Sequence, residues 1–154
     1  MDSTLDGGDG SKNELAAEAV RSLGALRLRV TGSSMLPAIR SGDILLIRHC
    51  DADEPVVGDV VLFTRERRLF AHRVVARSGA GLVTQGDGVP QSDPRVDGTE
   101  LLGKVLQVLR RGRCLPMRRK PSFAGRITAA LVRRSALAGR LITRLHRLRD
   151  RPGP

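Results

Sequence analysis

Residues 58–75 read Gly58-Asp-Val-Val-Leu-Phe-Thr-Arg-Glu-Arg-Arg-Leu-Phe-Ala-His-Arg-Val-Val75. They hold a four-residue apolar run, Val60–Phe63, just after a Gly-Asp pair, and a second strand-like stretch, Phe70–Val75. Runs this short, bounded by turn residues and rich in β-branched and aromatic side chains, predict strands rather than helices. In the second stretch, alternation sets Phe70, His72 and Val74 on one face.

The same pattern continues in both directions. Leu26, Leu28 and Val30 alternate with Arg27, Arg29 and Thr31 as a half-buried strand, and Ile44–Ile47 follows a second Gly-Asp pair, Gly42-Asp43. Gly81–Thr84 and Leu101–Leu109 are the later strand candidates. The glycines and prolines between them are turn punctuation. The expected fold is mainly β: an antiparallel, partly closed domain over residues 25–112. Residues 1–24 read as a disordered leader and a short helix, about 12–23, opened by the capping-box pattern Ser11-Lys-Asn-Glu14 and ended by Gly24. Residues 113–154 read as a tail. Within it, Phe123, Ile127, Leu131, Leu141, Leu145 and Leu148 recur at helical spacing among arginines, predicting a basic amphipathic helix over 122–149.

Composition excludes several classes. A chain of 154 residues with 40% apolar side chains can bury a core, so it is not wholly disordered. No apolar run approaches the roughly eighteen residues of a spanning helix. The acidic, glycine-rich start, Met1–Gly10, is the opposite of an export signal, which predicts a cytoplasmic protein or one peripheral to a membrane. Two cysteines, Cys50 and Cys114, without a C-x-x-C pair exclude a zinc ribbon or a disulfide-stapled scaffold and fit a reducing compartment. No motif implies a cofactor or a metal site.

The net charge of +11 is concentrated in the tail. Residues 118–154 carry 11 of the 27 basic groups and one acid, Asp150, whereas residues 1–117 are nearly balanced. Tryptophan and tyrosine are absent, and Phe63, Phe70 and Phe123 are scattered, so the chain offers no stacking platform for single strands. Residues 1–24 supply one short helix, too little for a DNA-binding helix-turn-helix. No specific nucleic acid is expected. The apolar stripe and arginines of 122–149 suit peripheral attachment to a membrane or a partner groove, or a helix folded back on its own domain.

Few residues offer chemistry. Ser34 lies at a strand-to-turn junction between Gly32 and Pro37, a sharp backbone that projects a hydroxyl; a base must lie within reach before it attacks anything. His72 shares its strand face with apolar neighbours, where a histidine is as often a satisfied core residue. His49 and His146 are poorer bases, one in an acidic loop and one in the tail. Asp87 and Asp93 lie in Gln85-Gly-Asp-Gly-Val-Pro-Gln-Ser-Asp-Pro94, among ordinary turn residues. Spacing alone leaves a serine–histidine–aspartate triad open.

Residues 30–47, Val-Thr-Gly-Ser-Ser-Met-Leu-Pro-Ala-Ile-Arg-Ser-Gly-Asp-Ile-Leu-Leu-Ile, resemble the Gly-x-Ser-Met-x-Pro…Gly-Asp box of the signal peptidase I family, shared with LexA-like self-cleaving repressors. Gly58–Phe63, Ala71–Val75, Gln85–Asp87 with Ser92–Pro94, and Leu102–Val105 resemble the later blocks, in order. The common bacterial enzymes and LexA-like proteins place a lysine in the base block. Here Lys12, Lys104 and Lys120 all fall outside it, and His72 resembles the histidine-type subgroup of archaea and the endoplasmic reticulum. The resemblance implies Ser34 as nucleophile, His72 as general base and Asp93 as the acid orienting the imidazole, with Asp87 shaping the turn or sharing the acidic role. Where many members carry a serine two positions before the nucleophile, this chain has Gly32, which leaves the oxyanion hole to the Ser34 amide and the Ser33 or Thr31 side chain. No membrane anchor of the family's kind is visible. The implied function is a serine endopeptidase that cleaves a leader or signal peptide in an extended precursor segment. The alternative is a non-catalytic or self-cleaving LexA-like module that uses the basic tail for membrane, partner or nucleic-acid contact.

Overall fold

Each of those apolar runs becomes a strand in the computed structural model, which describes residues 10–119. In chain order the elements are α1 (Gly10–Leu23), β1 (Ala25–Arg29), β2 (Ile44–Arg48), β3 (Val60–Arg65), β4 (Arg68–Ser78), β5 (Gly81–Gln85), β6 (Leu101–Arg110) and β7 (Arg113–Pro116). All pair antiparallel, in the order β1-β2-β6-β3-β4-β5, with β7 also on β6. The mainly β, antiparallel class is therefore the one expected. The sheet is not closed, however: β1 and β5 stand at opposite ends of the strand order and do not pair.

β6 is long enough to serve three partners. Its whole length faces β2 on one side or β3 and β7 in succession on the other: Leu101–Lys104 pair with β3, and Gln107–Arg110 with β7. It is the strand that bonds both to the β1–β2 pair and to the β3–β4–β5 meander.

Two cores form. The larger contains Leu45 and Ile47 of β2, Val60 and Leu62 of β3, and Leu102, Val105 and Val108 of β6, covered by Ala17 and Val20 of α1. The smaller gathers Val61 and Phe63 of β3, Val74 of β4, Leu82 of β5 and Val96, with Phe70 packed against it. This matches the face expected for Phe70, His72 and Val74. The helix starts two residues earlier than predicted and stops where predicted. Gly24 takes φ 73° and donates its N–H to the Val20 carbonyl at 3.0 Å, a left-handed cap. Glu14 of the capping-box pattern pairs with Arg67 in the β3–β4 turn at 2.8 Å.

The two Gly-Asp pairs build one device twice. Gly42 (φ 88°) and Gly58 (φ 99°) take the left-handed conformation that a turn requires here, and the following aspartates are buried. Asp43 accepts the Arg40 amide at 2.8 Å, and Asp59 accepts the Val56 amide at 3.1 Å. Each carboxylate then meets a cation from β6: Arg110 on Asp43 at 2.6 Å, Lys104 on Asp59 at 2.8 Å. Burial alone would raise both acids. The Arg110 and Lys104 hydrogen bonds, with those two amides, outweigh it and hold each below the ordinary 3.8.

Arg113–Pro116 is a strand where the tail was expected to begin, so the sheet runs four residues past residue 112. Of the disordered leader expected over 1–12, residues 10–12 belong to α1 and the rest lie outside the described residues, as does the amphipathic helix expected over 122–149. Among those described, no helix is long and apolar enough to cross a membrane.

Candidate active site

β1 delivers the chain to Ser34 through a loop tied down at its base. Val30 donates to the Asp43 carbonyl and accepts from Gly42, both at 2.8 Å. The turn that follows is held from inside, because Met35 and Ile39 are buried in the larger core and the Ile39 N–H meets the Met35 carbonyl at 3.0 Å. Arg110 adds a hydrogen bond to the Ala38 carbonyl at 3.0 Å. Ser34 is itself buried.

The loop after β5 closes against this turn. Gly88 donates to the Ser34 carbonyl at 2.8 Å. A Cβ on Gly86 would stand 2.7 Å from that same carbonyl oxygen, and one on Gly88 3.3 Å from it. The Gly-Asp-Gly sequence is thus an approach that side chains would obstruct.

His72 projects from β4 opposite Val61 and is buried. Phe63 presents its ring edge-on at 6.1 Å between centroids, and Phe70 lies at 6.0 Å. Nε2 stands 3.0 Å from Ser34 Oγ, and Nδ1 2.6 Å from Asp93 Oδ2. An ionised carboxylate only accepts, so Nδ1 must carry a proton toward Asp93. In the neutral imidazole that leaves the Nε2 lone pair aimed at the Ser34 hydroxyl. This is the tautomer a general base requires.

The two aspartates separate cleanly. Asp93 sits on His72, whereas Asp87 forms a two-pronged pair with Arg73, Nε to Oδ1 and Nη2 to Oδ2 at 2.8 Å each. Arg73 is buried and directs Nη1 to the carbonyls of Gly58 at 2.7 Å and Arg118 at 2.8 Å. Asp87 is thereby a turn-shaping residue fixed to the β3 entrance and to the chain leaving β7. Ser33 is exposed beside Ser34, and its carbonyl accepts the Leu36 amide at 3.1 Å.

The remaining candidates among the described residues have structural partners, and His146 lies outside those residues. His49 donates Nδ1–H to the Leu102 carbonyl at 2.7 Å. Lys104 is paired with Asp59 at 2.8 Å. Burial pushes the Cys50 thiol up to about 11, which makes it an inert core side chain. Among the described residues, no group of three or more histidine, cysteine or acidic side chains is arranged to hold a metal.

Sequence reading missed Thr84 and Arg73. Thr84 is fully buried, donates Oγ1–H to Asp93 Oδ2 at 2.6 Å and accepts the Asp93 N–H at 2.7 Å. Its signal was a lone hydroxyl in the otherwise apolar strand Gly81-Leu-Val-Thr84. Arg73 left a stronger signal, a charge inside a strand that the fold buries. Among the described residues no buried side-chain nitrogen or oxygen lacks a hydrogen-bond partner.

The family described as Peptidase S24-like matches residues 8–105, from α1 into β6 and including Ser34, His72 and Asp93. No curated protein matches the chain.

Proposed function

Because the chain belongs to the Peptidase S24-like family, we propose that it is a serine endopeptidase in which Ser34 attacks, His72 moves the proton and Asp93 orients the imidazole. The observation that carries this reading is the unbroken relay from Ser34 Oγ to His72 at 3.0 Å and on to Asp93 at 2.6 Å. The family holds both serine peptidases and LexA-like regulators. A buried histidine aligned between a hydroxyl and a carboxylate favours the peptidase.

In the reaction, His72 Nε2 takes the Ser34 proton as Oγ adds to the scissile carbonyl. We assign the Ser34 amide and Ser33 to the negative charge that develops on the carbonyl oxygen. Asp93 stabilises the imidazolium, which then protonates the leaving amine. A water, deprotonated by His72, releases the acyl group from Ser34.

The substrate we assign is an extended leader or signal peptide. β1 ends the strand order and runs directly toward Ser34. The Gly24 carbonyl and both backbone groups of Val30 bond toward β2's side, so alternation turns those of Arg27 and Arg29 to the outer edge. An extended peptide that adds there lies alongside the nucleophile. We assign the basic segment 122–149 to peripheral membrane attachment.

The test is to incubate the protein with a panel of leader and signal peptides and identify products by mass spectrometry. Wild type should cleave at one position, and Ser34→Ala and His72→Ala should each abolish cleavage. Their double variant should lose no more than either alone. Absence of cleavage across the panel, or cleavage retained by Ser34→Ala, overturns the reading.

A further inference from the structure

Thr84 is a residue the proposed reaction does not yet use, and its surroundings are unusual for a threonine. It lies at 0% exposure on β5, opposite Val74 of β4, two residues along from His72 on the same face. A hydroxyl there has no water to turn to, and valine would fill the same volume without a desolvation cost. Its one hydroxyl hydrogen goes to Asp93 Oδ2 at 2.6 Å, the same oxygen that receives His72 Nδ1–H. The Thr84 carbonyl meanwhile holds the Asp93 N–H at 2.7 Å.

We propose that Thr84 is a positioning residue, which fixes the Asp93 carboxylate so that Oδ2 stays on His72. The inference rests on the peptidase reading for its kinetic consequence but not for its geometry. Asp93 sits on a loop between β5 and β6, and its side chain is 21% exposed. With only the His72 contact, rotation about the carboxyl group would exchange Oδ2 for Oδ1 or let water take its place. The two bonds from Thr84, one to the backbone and one to the side chain, close a small ring around Asp93 and remove that freedom. Thr84 touches neither substrate nor the reacting atoms, and its effect passes through Asp93 to the imidazole.

The experiment compares Thr84→Val, which keeps the shape and removes the hydroxyl, with Thr84→Ser, which restores the hydroxyl in a smaller side chain. Two quantities are read: the far-downfield proton resonance of His72 Nδ1–H, and turnover of the best peptide from the panel. Thr84→Val should broaden or shift that resonance and lower kcat by about tenfold or more with little change in KM. That is a part of the roughly 10⁴-fold that spoiling the acid itself costs in a triad. Thr84→Ser should recover the resonance and most of kcat. A Thr84→Val protein with wild-type resonance and turnover overturns the proposal. So does a Thr84→Ser protein as impaired as Thr84→Val, because that assigns the effect to packing. If no variant, wild type included, cleaves any peptide while the resonance follows the hydroxyl, the peptidase reading fails and the positioning of Asp93 by Thr84 stands.

Discussion

Gly86→Ala tests whether the approach of two loops sets Ser34, the nucleophile of the proposed reaction. Gly86 does not need the left-handed backbone that bars a side chain, so the cost of alanine is purely one of contact. The new methyl would stand 2.7 Å from the Ser34 carbonyl oxygen, 3.0 Å from Val89 Cγ2 and 3.1 Å from Ser34 Cβ. Ordinary carbon contacts begin at about 3.5 Å, so the loops must part by roughly 0.5–1 Å. The Ser34 turn is pinned on its other side by buried Met35 and Ile39 and by Arg110 on the Ala38 carbonyl, so it cannot simply retreat. Displacing a reacting group by about 1 Å costs on the order of 10²-fold. We therefore expect kcat/KM to fall about 10- to 100-fold, with ~1–3 kcal/mol of stability lost to overpacking. Gly88→Ala, whose methyl would meet the Ser34 and Leu36 carbonyls at 3.3 Å, should do less harm on both counts. Peptide cleavage and urea unfolding measure the pair. Wild-type turnover in Gly86→Ala, or greater damage in Gly88→Ala, would refute the reasoning.

Asp93→Asn should cripple turnover while unfolding normally, because the amide no longer enforces the Nδ1–H tautomer, whereas Asp87→Asn should chiefly lower stability by loosening Arg73; equal losses of turnover would contradict this division. Asp43 and Asp59 are both held below 3.8, so their stabilisation is complete above that value and is lost as the pH falls through their folded values. Urea midpoints measured from pH 7 to pH 2.5 should drop steeply at the acid end for wild type and less for Asp43→Asn; parallel curves would count against it. For the tail, a chain ended at Arg119 keeps the Arg73 contacts and should lose sedimentation with anionic vesicles that the full chain retains at low salt. Each basic group near such a surface contributes about 1 kcal/mol, so equal binding by both chains would place the attachment elsewhere.

What could be read from the sequence was whatever local patterning controls. Alternation gave the strands and the shared face of Phe70, His72 and Val74, and glycine placed the end of α1. β7 was hidden because Arg113-Cys-Leu-Pro116 has no buried residue; it forms through the tight Arg111–Gly112 turn (φ 48° and 76°) and backbone pairing to β6. Regular strands with little helix between them suggest partial closure, but pairing between sheet ends leaves no local mark in the sequence. Turn chemistry alone could not divide Asp87 from Asp93, since the difference lies in which cation or imidazole the fold brings from β4. Thr84 stayed unseen for the same reason: its meaning depends on a partner nine residues away in a loop.

The position of β6 has a consequence in time. Ser34 lies in the connection between β1 and β2, His72 on β4, and Asp93 in the loop that follows β5. The strand that joins the β1–β2 pair to the β3–β4–β5 meander is made after all three residues. Arg110 at its far end supplies the grip on Asp43 and on the Ala38 carbonyl of the Ser34 turn. A chain emerging from the ribosome therefore holds every member of the relay before it holds the frame that aligns them. Assembly waits on contacts distant in sequence, which are the slow ones to form. On the reading proposed above, the growing polypeptide would gain its activity only when that strand docks between its two halves.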